Sequence, residues 1–114
     1  MKCEVEIDGI KYIPKQLSVD GCEYVIVRTY SAGVFAGYLE NRKGKEVTLK
    51  QARRLWRWAG AASLSQLAIE GTSKPEGCKF PCEVNSITLT ESIEIIPTTE
   101  LARKSIAGVP VWSE

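Results

Sequence analysis

The sequence predicts a compact α+β domain, mostly antiparallel sheet, in which an N-terminal hairpin and a meander pack with two or three short helices. Three observations predict it. Alternating apolar runs separated by turn residues fill the first half of the chain. From Gln51 the apolar spacing lengthens to three and four. No internal repeat, low-complexity tract or linker divides the 114 residues, so residues 1–114 are expected to form one domain. A chain of this length can bury a core without a metal or disulfide staple, and its 44% hydrophobic and 25% charged residues are ordinary for a globular protein.

Cys3-Glu4-Val5-Glu6-Ile7 and Ile10-Lys11-Tyr12-Ile13 flank Asp8-Gly9, a dipeptide that tolerates positive φ, and so predict a β-hairpin in which Cys3, Val5 and Ile7 share a face. Pro14 ends the second strand, and Lys15 to Gly21 reads as a connection. Glu23 to Thr29 is β-branched and apolar on both faces, which predicts a central strand covered on both sides. Ser31-Ala32-Gly33 turns the chain, Val34 to Glu40 returns, Arg42-Lys43-Gly44 turns it again, and Glu46 to Leu49 completes an antiparallel meander.

From Gln51, the recurrence of Ala52, Leu55, Trp56 and Ala59 predicts a short helix whose apolar stripe, Trp56 included, faces the core. A second helix runs through Leu64, Leu67 and Ala68, with Ser63 as N-cap and Gly71 after its end. Thr72 to Gly77 reads as loop, and Lys79 to Val84 as extended. Ser86 to Ile96 alternates as one bent strand or two short ones, with Ile87, Leu89, Ile93 and Ile95 in step. After Pro97, Thr98 or Thr99 caps a helix to about Ala107, its charges arranged as the helix dipole favours. Val109 to Trp112 is expected as a closing strand.

A formal net charge of +1 argues against general nucleic-acid binding through a bulk positive field, so any anion site must be local. No apolar run reaches the roughly 20 residues of a membrane-spanning helix. Met1-Lys2-Cys3-Glu4 enters a strand pattern rather than a signal-peptide core, so a cytosolic setting without a membrane is expected, and the four cysteines are expected reduced. Cys78 and Cys82 resemble half a metal site. With no histidine, however, a closed zinc site would need Cys3 and Cys22, whose spacing is not a second knuckle, so no metal is expected. The lack of histidine also removes Ser-His and Cys-His catalysis. No phosphate loop is present, and Glu91 and Glu94 read as a solvated strand face; an enzyme with carboxylate acid–base chemistry is the lesser alternative, and no cofactor is expected.

The residues most suggestive of binding lie in Arg53-Arg54-Leu55-Trp56-Arg57-Trp58, where three arginines and two tryptophans fall within six positions. On a helix, Arg54 and Trp58 form one outward i, i+4 pair and Arg53 and Arg57 another. Such a set can stack a ring and pair a phosphate or carboxylate. The plainer alternative is that Trp58 packs beneath a loop or partner subunit while the arginines make surface ion pairs. Arg28 sits beside Tyr30 and Ser31 at the end of the strongest strand. It reads as an anion grip aided by the turn, as a partner of Glu40 or Glu46, or as the solvent-facing end of the strand. The candidate ligand-binding residues are therefore Arg28, Tyr30, Ser31, Arg54, Arg57 and Trp58.

Arg28 to Gly37 (RTYSAGVFAG), Ala52-Arg53-Arg54-Leu55-Trp56-x-Trp58, Ala61 to Ala68 (AASLSQLA), Glu94-Ile95-Ile96-Pro97 and Val109-Pro110-Val111-Trp112 together resemble a family of small phage-encoded proteins without a settled function. The resemblance covers nearly the whole chain. It implies a protein of the host cytoplasm; the Arg/Trp/Tyr set, with the analogy of other small phage proteins that act by binding, leads to the expectation of a non-enzymatic accessory protein that binds and sequesters a small anionic, nucleotide-derived defence signal. The alternatives are a protein-interaction module that inhibits a host protein and a homo-oligomeric accessory factor.

Overall fold

One strand organises the domain. In the computed structural model, which describes residues 21–113 in full and, before them, the backbone of three short strands, β4 (Cys22–Thr29) is buried on both faces along Tyr24–Val27. The preceding strands are β1 (Val5–Ile7), β2 (Ile10–Tyr12) and β3 (Leu17–Ser18). The expected hairpin is present: β1 and β2 pair antiparallel with Ile7 opposite Ile10 across Asp8-Gly9. The face assigned to Cys3, Val5 and Ile7 lies outside the described side chains. The meander follows as β4, β5 (Val34–Lys43) and β6 (Glu46–Arg54), with β5 and β6 longer than the sequence pattern suggested.

β7 (Val84–Leu89) pairs with β6, whereas β8 (Ser92–Pro97) returns to the far side of β4, giving the order β8-β4-β5-β6-β7 with short β3 beside the start of β4. Only Thr90 and Glu91 join β7 to β8. Four strand spacings of about 4.8 Å would set flat edges roughly 19 Å apart, but three Cα steps of about 3.8 Å reach at most roughly 11 Å. The sheet must therefore curl. Ser92 records the closure: its N–H and hydroxyl both donate to Lys45 O in the β5–β6 turn, at 3.1 and 2.8 Å.

Curling divides the core in two. Val25, Val27, Phe35, Val47, Leu49, Ala52 and Leu89 fill the inside of the curl. Tyr24, Ile26, Ala36 and Tyr38 face outward beneath α1 (Leu64–Glu70) and α2 (Glu100–Ala107), whose Leu67, Ala68 and Ile106 cover them. Both helices start where expected: the Ser63 hydroxyl accepts from Gln66 N, and the Thr99 hydroxyl accepts from Ala102 N. Thr99 also donates to Ile69 O, tying the two helix ends together.

The helix expected over Ala52–Ala59 does not form. β6 continues to Arg54, and Arg57 makes an isolated antiparallel bridge with Lys79. Gln51, at φ 49°, adds one residue to β6 opposite β5. Before this bulge, Val47 and Leu49 face the inside of the curl. After it Ala52 does, while Leu55 joins the helix-covered core. Ala52 and Leu55 thus stand three positions apart in an extended segment because each fills a different core, which is what reads as helical spacing. Trp56, assigned to the core, is exposed, whereas Trp58 is half-buried against the helix-side core and Arg53, assigned to the surface, is buried.

Three smaller corrections follow. Val109–Trp112 contributes only a parallel bridge, Phe80 with Val111, rather than a closing strand. Ile93 falls out of step with Ile95 because the β4–β8 register shifts after Arg28, leaving Ile93 exposed. Cys22 is disulfide-bonded to a partner outside the described residues, against the expectation of reduced thiols, while Cys78 and Cys82 are free. Cys22 is also thereby unavailable to a four-cysteine metal site.

Candidate functional site: an arginine-walled groove

The turn after β4 sets one side of the site. The Thr29 hydroxyl donates to Gly33 O (2.7 Å) and accepts from Ala32 N (3.0 Å), and Gly33 adopts φ 101°, a conformation that favours glycine. This closed turn presents Ala32 O to Arg54, whose Nη1 donates to it at 2.5 Å. The Arg54 guanidinium also lies 4.5 Å over the Phe35 ring. Two contacts fix the cation, yet its Nε and Nη2 groups have no partner among the described residues, and no carboxylate neutralises it there.

Beyond Arg54 the chain stays extended, so Arg54, Trp56 and Trp58 succeed one another at every second position. Leu55 N donates to Val34 O, and Trp56 N and Arg57 N both donate to Lys79 O. These bonds hold the segment open along a groove of about 260 Å³, walled by Ser31, Gly33, Arg54, Trp56 and Trp58 and floored by Val34 and Leu55. A second depression of about 210 Å³, lined by Phe35, Ala52, Pro81, Cys82, Val84 and Ile87, lies on the other side of Arg54.

Of the six candidates, Ser31, Arg54 and Trp58 meet in the groove. Arg28, Tyr30 and Arg57 are not among its walls. Arg28 pairs across the strands with Glu94 at 3.1 Å, rather than with Glu40 or Glu46; both side chains are nearly half exposed, so the pair contributes at most about 1 kcal/mol. Glu40 instead pairs with Lys50 at 3.2 Å. Tyr30 projects into solvent at 79% exposure, anchored by its backbone to Glu91 O. The Ser31 hydroxyl donates to Glu91, so it enters the groove already engaged. Arg57 binds Lys79 through its backbone and leaves its side chain exposed.

Trp56 is the wall residue that the helical reading missed. No simple period-two pattern marks it, because Arg54 lies over Phe35 of one core while Trp58 packs against the other.

Arg53 faces the other way and serves the fold. Its Nε, Nη1 and Nη2 donate to Pro81 O, Ile106 O and Phe80 O at 2.9, 2.9 and 3.1 Å, and its guanidinium lies 5.5 Å from the Phe80 ring centre. Burial lowers its pKa, but an arginine starts so high that it remains a cation.

In chemical terms the groove offers a rigid, under-coordinated guanidinium beside two indole rings. It can pair an anion and stack a planar group, and none of its walls supplies a histidine, a thiol or a carboxylate. Among the described residues no cluster of potential metal ligands occurs, and no helix is long and apolar enough to cross a membrane. No curated protein and no solved structure matches the chain. Residues 22–106, which span β4 through most of α2 and hold the groove, match the domain of unknown function DUF6948, and the chain belongs to that family.

Proposed function

We propose that this protein is a binding protein whose groove captures a small anionic ligand with a planar part, of the kind a nucleotide-derived signal provides. The observation that carries this reading is Arg54: held by Ala32 O and Phe35, without a carboxylate partner among the described residues, and set beside Trp56 and Trp58. A guanidinium positioned before the ligand arrives loses little freedom on binding. The groove lies just below the range of about 300–1,000 Å³ common for ligand pockets, so it suits one ring and one anionic group. The likeness of its Arg28–Gly37 and Ala52–Trp58 segments to small phage-encoded proteins supports a role as a phage accessory protein that sequesters a defence signal in the host cytoplasm.

The test is direct, because two of the three tryptophans of the chain wall the groove. Titration with mononucleotides and with linear and cyclic dinucleotides should change tryptophan fluorescence and give heat in calorimetry. Arg54→Ala should weaken that binding at least about tenfold, the worth of one charge-assisted contact. Failure of every nucleotide to bind the wild-type protein overturns the reading.

A second reading, a protein-interaction module that inhibits a host protein, is favoured by one observation: Tyr30 and Trp56 are 79% and 64% exposed, open enough to act as anchors for a partner surface. Tyr30 separates the two readings. It lies outside the groove walls, so Tyr30→Ala should leave nucleotide binding intact and weaken only a protein contact.

A further inference from the structure

Arg54 stands between two depressions and lines both. The two contacts that fix its guanidinium come from opposite sides: Ala32 belongs to the tryptophan-walled groove, and the Phe35 ring belongs to the second depression, of about 210 Å³. Ala32 O occupies Nη1. The remaining Nε and Nη2 donors lie along one edge of the planar guanidinium and form a side-on fork for two oxygens of a single anion. Among the described residues, no other charged side chain lines either depression.

Charge and position together select the anion. A phosphomonoester carries about −1.5 to −2 at neutral pH, more than one guanidinium neutralises. A phosphomonoester or a carboxylate also ends its molecule, so a ligand gripped through either would fill one depression and leave the other empty. A phosphodiester carries a single negative charge, offers two unsubstituted oxygens to the fork, and has a substituent on each side. Resting on the reading of Arg54 as the anion grip of a nucleotide site, we propose that the ligand is a dinucleoside phosphodiester bound astride Arg54. Its linking phosphate takes the Nε–Nη2 edge, one base lies against Trp56 and Trp58, and the other enters the second depression against Pro81, Val84 and Ile87. The two nucleosides splay apart across the arginine. The second depression is apolar apart from Arg54 and the Cys82 thiol, so it holds a base by burying its face.

Adenylyl-adenosine, a linear dinucleoside monophosphate, and AMP separate a two-armed ligand from a plain anion grip. Tryptophan fluorescence reports the groove, and Cys82, a free and exposed thiol in the wall of the second depression, reports the other arm. The dinucleoside monophosphate should bind at least about tenfold more tightly than AMP. It should also slow alkylation of Cys82 by N-ethylmaleimide, which AMP should not. Its methylphosphonate analogue, uncharged at the linkage, should bind at least about tenfold more weakly. Protein alkylated beforehand at Cys82, with the adduct located by mass spectrometry, should lose the preference for the dinucleoside monophosphate. Equal affinity for the two nucleotides, tighter binding of AMP, an unslowed Cys82, an undiminished preference after alkylation, or a neutral analogue that binds as well as the diester overturns the two-armed ligand and leaves the anion grip standing. Binding of neither nucleotide overturns it as well, and overturns the anion grip too once every other nucleotide also fails.

Discussion

Arg53 and Arg54 are consecutive in the chain and leave β6 on opposite sides, one toward the helix-covered core and one toward the open groove. On the covered side each nitrogen of Arg53 is matched to a main-chain carbonyl, and one of those carbonyls, Ile106 O, belongs to the last turn of α2, the negative end of the helix dipole. On the open side Arg54 has one carbonyl and one ring face. Both guanidiniums are held, but only one retains donors for a ligand. Three oriented carbonyls can therefore neutralise a buried cation as a carboxylate would, while leaving the neighbouring cation as the polar feature of the site.

The largest way to break this comparison is Arg53→Ala. It removes three hydrogen bonds from a buried cation site and leaves Pro81 O without its donor, while Phe80 O and Ile106 O keep Trp112 N and Val109 N, so stability should fall by about 3–5 kcal/mol in urea denaturation. Arg53→Lys should recover little, because one ammonium cannot reach three carbonyls arranged for a planar fork. A loss below about 1 kcal/mol would mean that the covered side is no more dependent on its arginine than the open one.

A smaller effect on the same covered side comes from Gly71. It ends α1 at φ 75°, and a Cβ there would lie within 2.4 Å of Ser105 Cβ on α2. Gly71→Ala should cost about 2–3 kcal/mol through the strained backbone and the displaced helix, again measured by denaturation, with nucleotide binding per folded molecule unchanged. On the open side the expectation reverses. Arg54→Ala and Trp56→Ala should each change stability by less than about 1 kcal/mol, since both side chains are exposed. Any ligand affinity should fall with either.

How much of this was legible in the sequence follows the same division. The β4 run Glu23–Thr29, the turn at Ser31–Gly33 and the caps at Ser63 and Thr99 were readable because each signal is local: alternation, a glycine at positive φ, a hydroxyl before a helical stretch. The Gln51 bulge was not. A non-glycine residue at positive φ leaves no compositional mark, and beyond it Ala52 and Leu55 pack into different cores from one extended segment, which gives the apolar spacing of three that reads as helical. Reading that segment as a helix put Trp56 in the core and Arg53 on the surface, the reverse of their places in the structure. The return of β8 to β4 was equally hidden, because strand order depends on contacts far apart in the chain.

The smallest expected effect concerns Tyr24, which packs edge-on to Tyr38 at 4.9 Å between ring centres and whose buried hydroxyl has no hydrogen-bond partner among the described residues. Tyr24→Phe breaks no hydrogen bond, so at pH 7 it should alter stability by less than about 1 kcal/mol. The variant should differ from wild type only in alkali. Burial, with Glu83 and Tyr38 nearby, raises the Tyr24 pKa well above the ordinary value of 10.0. Below pH 10 the phenol is neutral in both states and contributes no pH dependence. Above it the unfolded chain loses a proton that the folded chain retains, so stability declines as pH rises, by about 1.4 kcal/mol per pH unit for one group. Between pH 10 and 11, where the unfolded phenol goes from half to mostly ionised, the wild-type protein should lose about 1 kcal/mol more stability than Tyr24→Phe. Parallel pH profiles would show that the Tyr24 hydroxyl reaches water, which would make the covered side of the sheet as open to solvent as the groove.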